Sequence, residues 1–106
     1  MDRPIQSNET TCREIVRVWE AHKLAVWPTS LGALEGQLMM LDTVIAGCAT
    51  YFLESEDGLD PQRVDMLQET QNDLHLLQSD LPDDAAGYVQ RLDHLCTLLL
   101  HKSQST

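Results

Sequence analysis

An unbroken heptad seam is the strongest constraint in this chain. Leu31, Leu34, Leu38, Leu41, Ile45, Cys48 and Phe52 follow one another at alternating steps of three and four. That spacing keeps one stripe of a helix apolar throughout, the geometry by which helices pack side by side in a left-handed coiled coil or bundle. A flanking stripe of Met40, Val44 and Tyr51 widens the apolar face to roughly half the cylinder. A helix of this kind needs neighbours, and the rest of the sequence supplies them.

Three further amphipathic segments are legible, and no alternating strand pattern is. Thr11 and Glu14 have the spacing of a capping box, which opens a first helix expected to run from about Thr11 to Trp27. Pro28 stops it, because the residue before proline is pushed out of the helical region. Cys12, Ile15, Val16, Trp19 and Val26 form its inner face, with His22 towards the seam. Ser30 is the expected N-cap of the second helix. Asp60-Pro61 opens the third, an N-cap followed by proline at the first helical position. Its stripe is Val64, Leu67, Leu74 and Leu81, with Gln71 and Gln78 in the same seam and Met66 and Leu77 on the flank. It ends at Leu81-Pro82. The fourth follows Asp83-Asp84, whose charges suit a helix N-terminus. Ala85, Tyr88, Val89, Leu92, Leu95, Cys96 and Leu99 line its core face.

Short connections make neighbouring helices antiparallel. The expected fold is all-α: a single domain over residues 1–106, with 1–9 and 103–106 frayed. It is either an up-down helical bundle or a pair of helical hairpins docked between two chains. At 106 residues the chain is near the lower end of comfortable stability, where a second copy or another partner helps.

Charge sharpens the reading. The net charge is −10, and residues 54–84 hold most of it: ten acids stand there against Arg63 alone. A chain this acidic repels phosphate backbones, so direct nucleic-acid binding is not expected. The longest uncharged apolar stretch, Thr43 to Leu53, falls short of the roughly 20 residues a membrane span requires. The first residues lack the apolar run of a signal peptide. These points predict a cytoplasmic protein without a membrane partner. Cys12, Cys48 and Cys96 are an odd set without a CxxC pair, so no disulfide framework is expected.

The residue patterns of chemistry do not assemble. With Gly58 at the sixth position of a calcium loop, Leu53 and Val64 would fall where carboxylates are required. No histidine has a glutamate three residues before it, so the inward Glu-x-x-His pairs of a di-iron bundle are missing. Zinc spacing and HExxH are missing too. Cys96 and His101 are five apart on one helix and point in different directions. The reading is therefore of a non-enzyme without catalytic residues, metal or cofactor, which acts through its surface.

The candidate partner or dimer interface is Met40, Val44 and Tyr51, extended by Met39, Trp27 and Leu98. Leu24, Met39, Leu76 and Leu98 project from the polar sides of their helices, and Trp27 either seals the bundle end or anchors a partner. Met40→Asp or Val44→Asp should weaken binding more than folding, whereas Leu41→Ala should unfold the domain. In size and helical character across its whole length, the chain resembles the small bacterial anti-activators of LuxR-type quorum-sensing regulators. The resemblance rests on no diagnostic motif and assigns no residue roles. It implies a homodimer that binds a transcription regulator and blocks its dimerisation or DNA binding. A secretion chaperone, and a phage-type inhibitor that mimics DNA with the acids of 54–84, are the alternatives.

Overall fold

The computed structural model describes residues 4–55 and 58–104, with the side chains of 10–55 and 58–103. Glu56 and Asp57 of the acidic stretch lie outside the described residues. All regular structure among the described residues is helical: α1 (Pro4–Lys23), α2 (Glu35–Glu54), α3 (Pro61–Gln78) and α4 (Ala86–Gln104). Short 3-10 turns, Gly32–Leu34 and Asp83–Ala85, lead into α2 and α4. The fold is an all-α helical bundle, as the seam requires.

The start of α3 follows the sequence closely. Asp60 is extended, its carboxylate accepts the Arg63 backbone N–H at 2.8 Å, and Pro61 takes the first helical position. The start of α2 departs from expectation. Ser30 is not its cap: the Ser30 hydroxyl donates instead to Asp84 Oδ2 at 2.9 Å, pinning the α1–α2 connection to the entry of α4. The chain then turns at Gly32, whose φ of 57° lies in the left-handed region that favours glycine.

α1 is displaced from its expected bounds. It already runs from Pro4 rather than Thr11, and it ends at Lys23 rather than Trp27. Backbone bonds from Leu24 N–H to Ala21 O and from Ala25 N–H to His22 O tighten its last turn. Pro28 is therefore not what stops it. Val26, expected inside, is 84 % exposed, and Val18 is buried where the reading had placed no core residue. At the other end of the chain, α4 continues through Ser103 to Gln104, which had been read as tail.

On α3 the buried residues are Leu67, Thr70, Leu74 and Leu77. Gln71 therefore sits at the edge of the seam. Its amide donates to Asp93 Oδ1 and Thr97 Oγ1, both at 3.0 Å on α4. Gln78 is exposed and closes the helix before Leu81 is reached. α4 matches its reading best: Ala85, Val89, Leu92, Leu95, Cys96 and Leu99 are all fully buried, with Tyr88 half-buried. Leu98 is the exception there. It packs partly buried against the core instead of projecting into solvent.

α4 is the central element, packed against α1, α3 and α2, whereas α1 and α2 barely meet. Paired residues set the directions. His75 Nε2 lies 2.6 Å from Asp93 Oδ1 across α3 and α4, and His94 Nε2 lies 3.4 Å from Glu14 Oε2 across α4 and α1. The helices alternate up and down along a body of 49 × 25 × 22 Å.

Candidate protein-binding surface

A part-buried polar cluster ties α2 to α1 and α4. Asp42 sits in mid-helix, where a carboxylate facing the core needs partners. It has two, from different helices. His22 Nε2 of α1 donates to Asp42 Oδ1 at 3.1 Å, and the Tyr88 hydroxyl of α4 donates to Asp42 Oδ2. Burial alone would raise the Asp42 carboxyl, but the bonds from His22 and Tyr88 outweigh it and hold it below the ordinary carboxylate range. The Tyr88 hydroxyl is pushed up, by burial first and then by the adjacent carboxylate. The rings pack as well as bond: His22 lies 4.8 Å from Tyr88, and Trp27 meets Tyr88 edge-on at 5.2 Å. Trp27 Nε1 donates to Glu35 at 2.9 Å, so this half-buried residue seals the bundle end. His22 Nδ1 is buried and has no hydrogen-bond partner among the described residues.

With Asp42 turned towards α1 and α4, the opposite side of α2 is shared between α3 and solvent. The stretch Gly32–Glu54 has a mean hydropathy of 1.2 over its most apolar part, yet 22 % of that part is buried. By length and composition alone it is apolar enough to cross a membrane, contrary to the sequence expectation. A core helix of that composition would be mostly covered. Met40, on that side, is 71 % exposed, whereas Met39 at 51 % and the exposed Leu53 stand at three and eleven residues from Asp42, on its own flank of the helix. Val44 is half-buried against the core. Tyr51 is half-buried under the Arg63 guanidinium, which stacks 3.7 Å from its ring centre.

Two depressions mark this side. One, of about 510 Å³, lies between α2 and α3 and is lined by Met40, Leu41, Asp73, Leu76, Leu77 and Asp80, with Gln37 at its edge. The other, of about 600 Å³, lies over the middle of α2, where Thr43, Ala46, Gly47 and Thr50 leave a shallow floor between Val44, Tyr51 and Met66. The six expected interface residues therefore separate. Met40, Val44 and Tyr51 share one side of α2, Met39 is exposed on its flank, Trp27 belongs to the bundle end and Leu98 to the edge of the core. The contribution of α3 to the groove, above all Leu76 at 75 % exposure, was not connected to α2 by sequence reasoning. Leu76 stands out of the α3 seam, and that was the available signal. Its neighbour across the groove depends on helix pairing, which one-dimensional spacing does not carry.

The thiols are placed as small core groups. Cys48 and Cys96 are buried and Cys12 is half-buried, all three free. Burial pushes the Cys96 thiol up to about 12 and raises that of Cys48 as well. Among the described residues no cluster of three or more histidine, cysteine or acidic side chains is placed to hold a metal ion. Comparison with known proteins finds no matching family, no similar curated protein and no similar solved structure.

Proposed function

We propose that this is a small regulatory protein that acts by binding another protein, a transcription regulator in the manner of the quorum-sensing anti-activators, and keeps it from dimerising or binding DNA. The observation that carries the reading is the apolar, partly uncovered side of α2, opposite the inward-facing Asp42. Contiguous exposed apolar surface on a small domain marks an interaction site more often than it marks accident. The protein works in the cytoplasm as a homodimer, and the shallow middle of α2 at Gly47 is where two copies could cross closely. No catalytic step and no cofactor enters this reading.

The test is a gel shift with a LuxR-type regulator of the same host bound to its operator. Added protein should release the DNA, and the Met40→Asp variant should release it far less while keeping the helical content of the parent. Regulator–operator complexes that survive an excess of the protein would overturn the reading. Stabilisation of one exported protein by this chain would replace it with the chaperone alternative.

A further inference from the structure

The α2–α3 groove has a chemistry of its own. Its floor and walls are apolar, from Met40, Leu41, Leu76 and Leu77, and its rim carries Asp73 of α3 and Asp80 in the turn just beyond it. Asp73 continues a ridge: Asp65, Glu69 and Asp73 follow one another at i, i+4 along the exposed face of α3. Like charges at that spacing repel and destabilise the helix that carries them. Nothing in the described structure relieves them. Arg63, the one Lys or Arg between residues 54 and 84, is committed to Asp60 at 2.7 Å and to the Tyr51 ring. His75 turns to Asp93 on α4. The groove thus combines exposed thioether and leucine surface with uncompensated negative charge. Methionine adapts to irregular apolar surfaces, and an apolar groove with an acidic rim suits the apolar face of an amphipathic helix whose flanks are cationic.

We propose that the groove between α2 and α3 is the docking site for a cationic amphipathic helix of the partner protein. The apolar stripe of that helix would lie on Met40 and Leu76, and its Lys or Arg residues would face Asp73, Asp80 and the ridge behind them. The proposal rests on the protein-binding reading above and specifies the occupant. A second copy of this chain is the wrong occupant of this groove, because the exposed face of its own α3 carries the same acids; the homodimer contact proposed above lies at the middle of α2 instead. Phosphate mimicry fits less well too, since Met66 and Leu76 interrupt the acidic face with exposed apolar surface.

Two synthetic helical peptides of about 18 residues, five turns, test it against the full chain. Both carry leucine on one face; one carries lysine and the other glutamate on the opposite face. The lysine peptide should bind and shift the methyl resonances of Met40, Leu76 and Leu77. Its affinity should fall about tenfold in the double variant Asp73→Lys, Asp80→Lys, as expected for reversing two rim charges. The same affinity should fall steeply as salt is raised. All the substituted positions are exposed, so circular dichroism of the variants should match the parent. The proposal is overturned by equal binding of the two peptides, by full affinity in the charge-reversed variant, or by shifts centred on α1 and α4. It is also overturned if the groove methyls shift on concentrating the protein alone, which would make a second copy the occupant. Release of a regulator from DNA by a protein whose groove ignores the lysine peptide would sink this proposal and leave the protein-binding reading standing. The converse result would reject the regulator and keep the groove.

Discussion

At the residue scale, the informative position is Asp42. In the sequence it stands only as the charge just before the apolar stretch Thr43–Leu53, yet it is the part-buried group that ties α2 to α1 and α4. No periodicity could show this, because its partners come from residues 20 and 46 positions away. The consequences for pH follow from its two bonds. The carboxyl is held below its ordinary value of 3.8, so its contribution to stability is whole above about pH 4 and is lost as pH falls through the lowered value. The Tyr88 hydroxyl is raised above its ordinary 10.0, so its contribution is whole below about pH 10 and is lost as pH rises further. Urea denaturation across pH should therefore show an acid limb that flattens in Asp42→Asn and an alkaline limb that flattens in Tyr88→Phe. At neutral pH, Tyr88→Phe should cost about 1 kcal/mol, and Asp42→Ala about 2–3 kcal/mol, because it strands two donors in the interior. Unchanged limbs would mean that the cluster is not what holds α1, α2 and α4 together. The thiols give a second check at this scale. At pH 8 an alkylating reagent should modify half-buried Cys12 first and spare Cys96, whose thiol is raised to about 12. Mass spectrometry of the peptides reads the order, and early labelling of Cys96 would contradict the packing of α4.

At the scale of the element, the four helices differ in how much of each the sequence disclosed. α4 was legible almost residue by residue because it lies between all the others, so its apolar stripe and its buried surface coincide. α3 began where Asp60-Pro61 said it would, since an N-cap and a proline act locally. The connection from α1 to α2 departs from the sequence expectation because local signals there serve tertiary contacts. Ser30 bonds Asp84 rather than the α2 backbone, and the last turn of α1 is given up so that Trp27 can lie on Tyr88. The α2 seam was read correctly as a stripe, but its weight along the stripe was not. Leu38 and Ile45 are fully buried, whereas Leu41 faces the α2–α3 groove and is only partly covered. Leu38→Ala should therefore cost about 2–5 kcal/mol, as expected for deleting a buried leucine, and Leu41→Ala distinctly less. The sequence expectation that Leu41→Ala unfolds the domain is replaced by this ordering, and equilibrium denaturation of the two variants decides it. Val44→Asp is likewise a poorer probe of binding than Met40→Asp. It places a charge against the core, whereas Met40 is free to change.

At the scale of the whole molecule, the candidate surface depends on how the helices pair, and the sequence showed its components without their juxtaposition. The off-seam residues Met40 and Leu76 and the acids of α3 were all visible as separate features. Packing α3 against α2 made them one groove. The charge of the molecule then sets a measurable cost. Self-repulsion of the α3 ridge destabilises the folded chain, and salt relieves it, because the Debye length shrinks from about 10 Å at 0.1 M to about 3 Å at 1 M. The melting temperature should therefore rise with sodium chloride. Glu69→Lys, which stands between Asp65 and Asp73, converts two repulsive i, i+4 pairs into attractive ones. It should raise the melting temperature at low salt, with the advantage over the parent fading towards 1 M. Parallel salt slopes for parent and variant would show that the ridge carries no strain, and with it would go the argument that the acids are retained for a partner. If the variant is more stable yet binds the lysine peptide less well, stability and binding oppose each other at one residue, as expected where a surface is kept unfavourable in the free protein for what it meets in the complex.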